Sequence, residues 1–182
     1  MEQTNRLGTQ GVGKLLIKLS IPAVTAQLVN MLYNIVDRIY IGNMDGIGNA
    51  ALTGVGVTFP VLMFISAFAA LIGMGGAPRA SIKLGEGNAD EAERIMGNCM
   101  AALLALAVAL TALFLALGEP LLYLFGASSD TIDYALVYMN IYVCGNVFVL
   151  SALGMNSFIS AQGFARTGML TVLIGAVVNI VL

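Results

Sequence analysis

Polar and apolar positions along this chain segregate into long blocks and do not show the residue-by-residue alternation of a half-buried sheet. Apolar runs cover roughly residues 19–41, 51–77, 95–117 and 132–159, and a fifth opens near Thr167 and reaches Leu182. An α-helix needs about 20 apolar residues to cross ~30 Å of hydrocarbon at 1.5 Å per residue. Each of the first four runs therefore predicts one membrane span. The fifth offers only about 21 Å of helix from Met169 onward, so the chain is expected to be incomplete, with 167–182 part of a longer span. The pattern predicts an all-α integral membrane protein, a polytopic helical bundle in which residues 1–182 form one partial transmembrane lobe.

Composition sharpens this. The chain is 59% apolar and only 10% charged, with a mean hydropathy of +0.91 and neither His nor Trp, against about 25% charged residues in ordinary soluble domains. Eighteen charged side chains cannot cover the surface of a soluble domain of this length, so lipid must be the solvent for much of it. Cys99 and Cys144 fall inside spans without metal-ligand spacing and read as small buried hydrophobes. The absence of His and of any interfacial acid cluster argues against an enzyme, no cofactor motif appears, and an acidic pI without a basic cluster argues against a nucleic-acid partner.

Charge placement turns spans into topology. Arg6, Lys14 and Lys18 precede the first span, Arg79, Lys83 and Arg94 lie between the second and third, and Arg166 lies between the fourth and fifth. The intervening connections carry Asp45, Glu119 and Asp130 and no basic residue. Because Lys and Arg near span ends are retained in the cytoplasm, the N-terminus is expected to be cytoplasmic. Arg38, near the far end of the first span, is expected to snorkel to the interface. The first run is too long and too polar for a signal-peptide h-region. Gly85-Glu86-Gly87-Asn88 reads as a turn, with Asn88 as an N-cap and Glu91 three residues on. Gly118-Glu119-Pro120 is expected to end the third helix, and Ser128-Ser129-Asp130 to open the fourth. Small pairs such as Gly54/Thr58 and Gly73/Ala77 suit close helix approach in lipid.

The first span carries the chemistry. Gln27, Asn30, Asn34 and Asp37 recur at steps of 3, 4 and 3, placing them along one helix face, with Tyr33 and Tyr40 flanking Asp37. A carboxylate at a helix centre costs roughly 2.5–3.5 kcal/mol on insertion scales and is a functional candidate by default. Lipid cannot solvate that stripe, so it must face the bundle or a wet cavity. Asp37 and Arg38 are adjacent and point about 100° apart, so they do not pair; a purely structural interhelical hydrogen-bond network remains an alternative for the stripe. Pro22 either bends the helix or sits harmlessly in its first turn. Tyr134, Tyr138 and Tyr142 form a row on the fourth span, which also holds Asn140, Asn146 and Asn156, while Asn179 lies in the fifth.

These residues together resemble the multidrug and toxic compound extrusion (MATE) transporters. The likeness is carried by Leu32-Tyr33-Asn34-Ile35-Val36-Asp37-Arg38-Ile39-Tyr40-Ile41-Gly42, by Pro22, by Gly76-Ala77-Pro78-Arg79-Ala80-Ser81 through Gly85, by Ala161-Gln162-Gly163, and by Val177-Val178-Asn179-Ile180-Val181-Leu182. The resemblance implies the N-terminal lobe of a twelve-helix, two-lobed transporter of the plasma membrane, truncated in its fifth span. Such a protein exports organic cations or drugs by alternating access, driven by H⁺ or Na⁺. It implies an ion-coupling site at Asp37, Asn179, Tyr33 and Asn34, with Asp37 and Asn179 as metal ligands if the ion is Na⁺. It also implies a substrate cavity at Gln27, Asn30, Tyr138 and Asn156. The implied partners are the bilayer, an organic cation and a C-terminal lobe of the same chain. The rival within the same superfamily architecture is a lipid-linked saccharide flippase, whose cavity should present Arg or Lys to pyrophosphate.

Overall fold

The computed structural model describes residues 11–181; Arg6 and Leu182 lie outside them. Six helices follow one another: α1 Val12–Gly42, α2 Gly48–Gly85, α3 Ala89–Leu124, α4 Ile132–Cys144, α5 Asn146–Ala161 and α6 Ala165–Val181. By length and apolarity α1, α2 and α3 can each cross a membrane, and α4 with α5 makes a fourth crossing. At 38 residues, α2 is about 57 Å long and overshoots the hydrocarbon. The chain is thus a multi-pass membrane bundle, as the hydropathy blocks predict.

Two boundaries differ from the sequence expectation. The third helix does not stop at Pro120; it runs through that proline to Leu124. Its true end is built by Gly126 at φ +102, with Gly126 N–H donating to the Tyr123 carbonyl at 3.1 Å and Ala127 N–H to the Leu122 carbonyl at 2.9 Å. Pro22, Pro60 and Pro78 are likewise helix-internal, and Pro22 is buried well beyond the first turn of α1. Prolines are tolerated in membrane helices because neighbouring groups can satisfy the carbonyls they free.

The second difference is the fourth span, which is not one rod. It breaks at Gly145 by 58° into α4 and α5. Helix α3 clasps the break from both sides: Thr111 Oγ1 donates to the Val143 carbonyl at 3.0 Å, and Asn146 Nδ2 donates to the Ala107 carbonyl at 3.3 Å. A polar side chain in the ladder is a standard cause of a kink, and here the fully buried Asn146 fixes its position. Cys144, beside the break, is exposed on the bundle surface and Cys99 is partly buried, so the expectation of two buried cysteines fails.

The turn after α2 forms as read. Gly87 takes φ +78, and Asn88 caps α3 by accepting from Glu91 N–H at 3.2 Å while its amide reaches Glu91 Oε2 at 3.0 Å. Lys83 bridges Glu86 at 3.1 Å and Glu91 at 3.4 Å.

Helix α2 is the spine, packed on α3, α4 and α5 around Val61, Ile65, Leu103, Leu122, Met139 and Leu150, none more than 1% exposed. Association in lipid relies on close contact of small residues, and the glycines show it. A Cβ on Gly54 would meet the Ala135 nitrogen and Thr131 oxygen at 3.0 Å, and one on Gly73 would meet the Gly154 oxygen at 2.9 Å. Helix α1 stands apart, packing chiefly along α6 and only lightly on α2. That long α1–α6 seam, backed by α5 at one end, is where the polar stripe lies.

Candidate functional site

The seam contains two cavities. The first, about 420 Å³, opens in the half of the bundle nearer Arg166 and is lined by Gln27 and Asn30 from α1, Asn156, Ser157 and Ser160 from α5, and Gly168 from α6. The second, about 440 Å³, lies toward the opposite end and is lined by Asp37 and Tyr40 from α1 and Asn179 from α6. Asn30 and Asp37 are seven residues apart, so roughly 10 Å of helix separates the two levels.

Local structure explains the partition. In α1 the stripe residues are used in succession along the helix. Asn34 Nδ2 donates to the Asn30 carbonyl at 2.7 Å and to Asn30 Oδ1 at 3.2 Å, so Asn34 spends its amide within its own helix and lines neither cavity. Asn30 is thereby oriented for the first cavity. Across from it, Ser160 Oγ donates to Asn156 Oδ1 at 3.4 Å, and Asn156 Nδ2 reaches the Gly168 carbonyl at 3.5 Å. Gly168 makes that approach possible, since a Cβ there would sit 2.7 Å from Asn156 Oδ1.

Asp37 is partly buried and Asn179 is exposed along the same seam, and the two line one cavity without a hydrogen bond between them among the described residues. Asp37 forms no ion pair with Arg38, whose guanidinium instead sits 5.2 Å from the Phe59 ring centroid on α2, a cation–π contact. The carboxylate is left with its acceptor oxygens uncommitted, next to an amide that offers both an oxygen and an N–H. Tyr138, partly buried like Tyr33, lies near enough to Asp37 and to Tyr33 to interact with both electrostatically, yet neither tyrosine lines the two cavities.

Of the residues read from the sequence, Gln27, Asn30 and Asn156 therefore converge on one cavity and Asp37 with Asn179 on the other. Tyr138 stands with the Asp37 level, apart from Asn156. Sequence reasoning missed Ser157 and Ser160, although Ser160 follows Asn156 at i+4 on the same helix. It also missed the Arg38–Phe59 contact, for which no local signal exists.

The site falls within a region that known proteins share. The chain is 24% identical over 182 residues to the FAD transporter of Shewanella oneidensis and 23% identical over 181 residues to the multidrug export protein MepA of Staphylococcus haemolyticus. In both cases all of this chain is matched, and it spans 40% of the relative's length. Among solved structures, the MATE multidrug transporter DinF-BH in complex with R6G superposes with a TM-score of 0.88 at 38% identity, over 96% of this chain and 39% of that one. A MOP superfamily transporter from Pyrococcus furiosus gives 0.84 at 28% identity, over 93% and 37%. The MatE family model matches residues 22–182, and so the chain belongs to the MatE family of membrane transporters and corresponds to an N-terminal portion of its members.

Proposed function

We propose that the protein containing this chain is an ion-coupled antiporter of the plasma membrane, exporting organic cations by alternating access with its N-terminus in the cytoplasm. Asp37 and Asn179 take the coupling ion, H⁺ or Na⁺. Gln27, Asn30 and Asn156 contact the substrate, and a second lobe closes the cavity. The observation that carries this reading is the convergence of Asp37 and Asn179, from helices about 140 residues apart in sequence, on one cavity at the α1–α6 seam. A carboxylate and an amide oxygen suit either a proton or a hard cation. Each charge moved across 100 mV is worth about 2.3 kcal/mol, enough to bias α1 and α6 between two arrangements.

Neither cavity is lined by Lys or Arg, so pyrophosphate-linked saccharides suit the site less well than cations. The test is ethidium efflux from vesicles holding the full gene product under separately imposed proton and sodium gradients. Gradient-driven efflux is expected for the wild type with one of the two ions and is expected to vanish in Asp37→Asn. Retained gradient-driven efflux in Asp37→Asn refutes the assignment.

A further inference from the structure

A third cavity lies away from the seam. The groove between α2 and α3, about 610 Å³, opens near the polar turn at residues 85–88. Its upper part carries Arg79, Lys83 and Glu91, and its deeper wall is apolar, running from Ile82 and Ile95 to Leu71. The charges are not equivalent. Lys83 is held between Glu86 and Glu91, whereas Arg79 makes no ion pair among the described residues. The groove therefore presents one uncommitted guanidinium, a group suited to bidentate phosphate binding.

Its depth is also informative. Arg79 lies just past the apolar block 51–77, at the level of lipid phosphates, and Leu71 lies about 12 Å further along the helix, inside the hydrocarbon. Both Leu71 and Ile82 are more than half exposed. Gly75 lines the groove between them, and a Cβ there would meet nothing within 4 Å, so the space beside it is open and a larger side chain could enter it.

We propose that this groove binds an anionic glycerophospholipid, its phosphodiester on Arg79 and an acyl chain along the wall from Ile82 to Leu71. Basic pockets between helices at a membrane surface are suited to such headgroups. The site is independent of the α1–α6 seam, and its test needs no transport. The full gene product in detergent is offered phosphatidylglycerol and phosphatidylcholine in equal amounts, and bound lipid is counted by native mass spectrometry. Preferential retention of phosphatidylglycerol is expected, falling about fivefold in Arg79→Gln. In Gly75→Leu, which fills the groove, both lipids should be lost while circular dichroism and melting stay as in the wild type. Excess glycerol phosphate, which lacks acyl chains, should not displace the lipid. Equal retention of the two lipids, an unchanged preference in Arg79→Gln, displacement by glycerol phosphate, or no retained lipid because the second lobe covers the groove would each overturn the proposal.

Discussion

Gly168→Ala separates the site from the scaffold that carries it. The new Cβ would lie 2.7 Å from Asn156 Oδ1 and 3.3 Å from Ser160 Oγ, whereas relaxed contacts fall near 3.5–4.0 Å. The Asn156 carboxamide must therefore retreat by roughly 1 Å to restore such contact. The obstructing atom is the end of a side chain, so the α5 and α6 backbones need not separate, and the melting point should change by less than the equivalent of about 1 kcal/mol. What is lost is orientation. The contacts at 3.5 Å to the Gly168 carbonyl and 3.4 Å from Ser160 are at the weak end of the usual 0.5–1.5 kcal/mol. Together they are worth about 1 kcal/mol, or roughly a fivefold rise in the half-saturating dye concentration for efflux.

Gly73→Ala is the contrast. Its Cβ would meet the Gly154 carbonyl oxygen at 2.9 Å and Ser157 Oγ at 2.8 Å, and because backbone cannot step aside, α2 and α5 must part at a cost of about 1–3 kcal/mol. Thermal unfolding in detergent and dye-efflux titration of the full gene product supply the two readouts. If Gly168→Ala melts as low as Gly73→Ala, or leaves half-saturation unchanged while Asn156→Ala raises it, the geometry assigned to this cavity is refuted.

Two further outcomes follow from contacts elsewhere. Hydrogen bonds from Lys83 to Glu86 and then to Glu91 hold its ammonium above the ordinary 10.5. A raised lysine stabilises fully below its unfolded value and loses that contribution as pH rises through the folded one. The melting difference between wild type and Lys83→Met should therefore be constant from neutral pH to about 10 and shrink only above 10.5; a difference that vanishes by pH 9 contradicts the pairing. The Arg38–Phe59 contact should show a coupling of about 0.5–2 kcal/mol in a double-mutant cycle with Arg38→Gln and Phe59→Leu, measured by unfolding, and purely additive effects would deny it.

How far these features were legible in the sequence depends on the range of the interaction that sets them. The stripe Gln27, Asn30, Asn34 and Asp37 could be read because its spacing is that of one helix, and the Asn88–Glu91 cap because its partners are three residues apart. Pro120 misled because a proline's local penalty is outweighed when helix packing in lipid supports the turns on either side. The break at Gly145 was invisible to hydropathy, since Asn140, Asn146 and Asn156 are single polar positions that do not interrupt the apolar run over 132–159. What creates it is Asn146 and Thr111 reaching between α3 and the broken span, partners 39 and 32 residues apart. Asn34 and Asn30 are only one turn apart, but that Asn30 lines the cavity with Asn156 is set by α5, far along the chain. The family likeness alone brought Asn179 beside Asp37, and the α1–α6 seam supplies the physical reason.

That seam also sets a timetable for biogenesis. Helix α1 is made well before the helix along which it mainly packs, Ala165–Val181, which begins about 120 residues later. At 5–20 residues per second, the stripe from Gln27 to Asp37 waits roughly 6–25 s before its partner is made. During that interval the Asp37 carboxyl and the amides of Gln27 and Asn30 lack their α5 and α6 neighbours, and lipid cannot hydrogen-bond them, whereas Asn34 is already held within α1. The polar face of α1 is therefore without its seam partner until α6 is made, and a stalled or slowed translation of residues 43–164 would prolong that exposure.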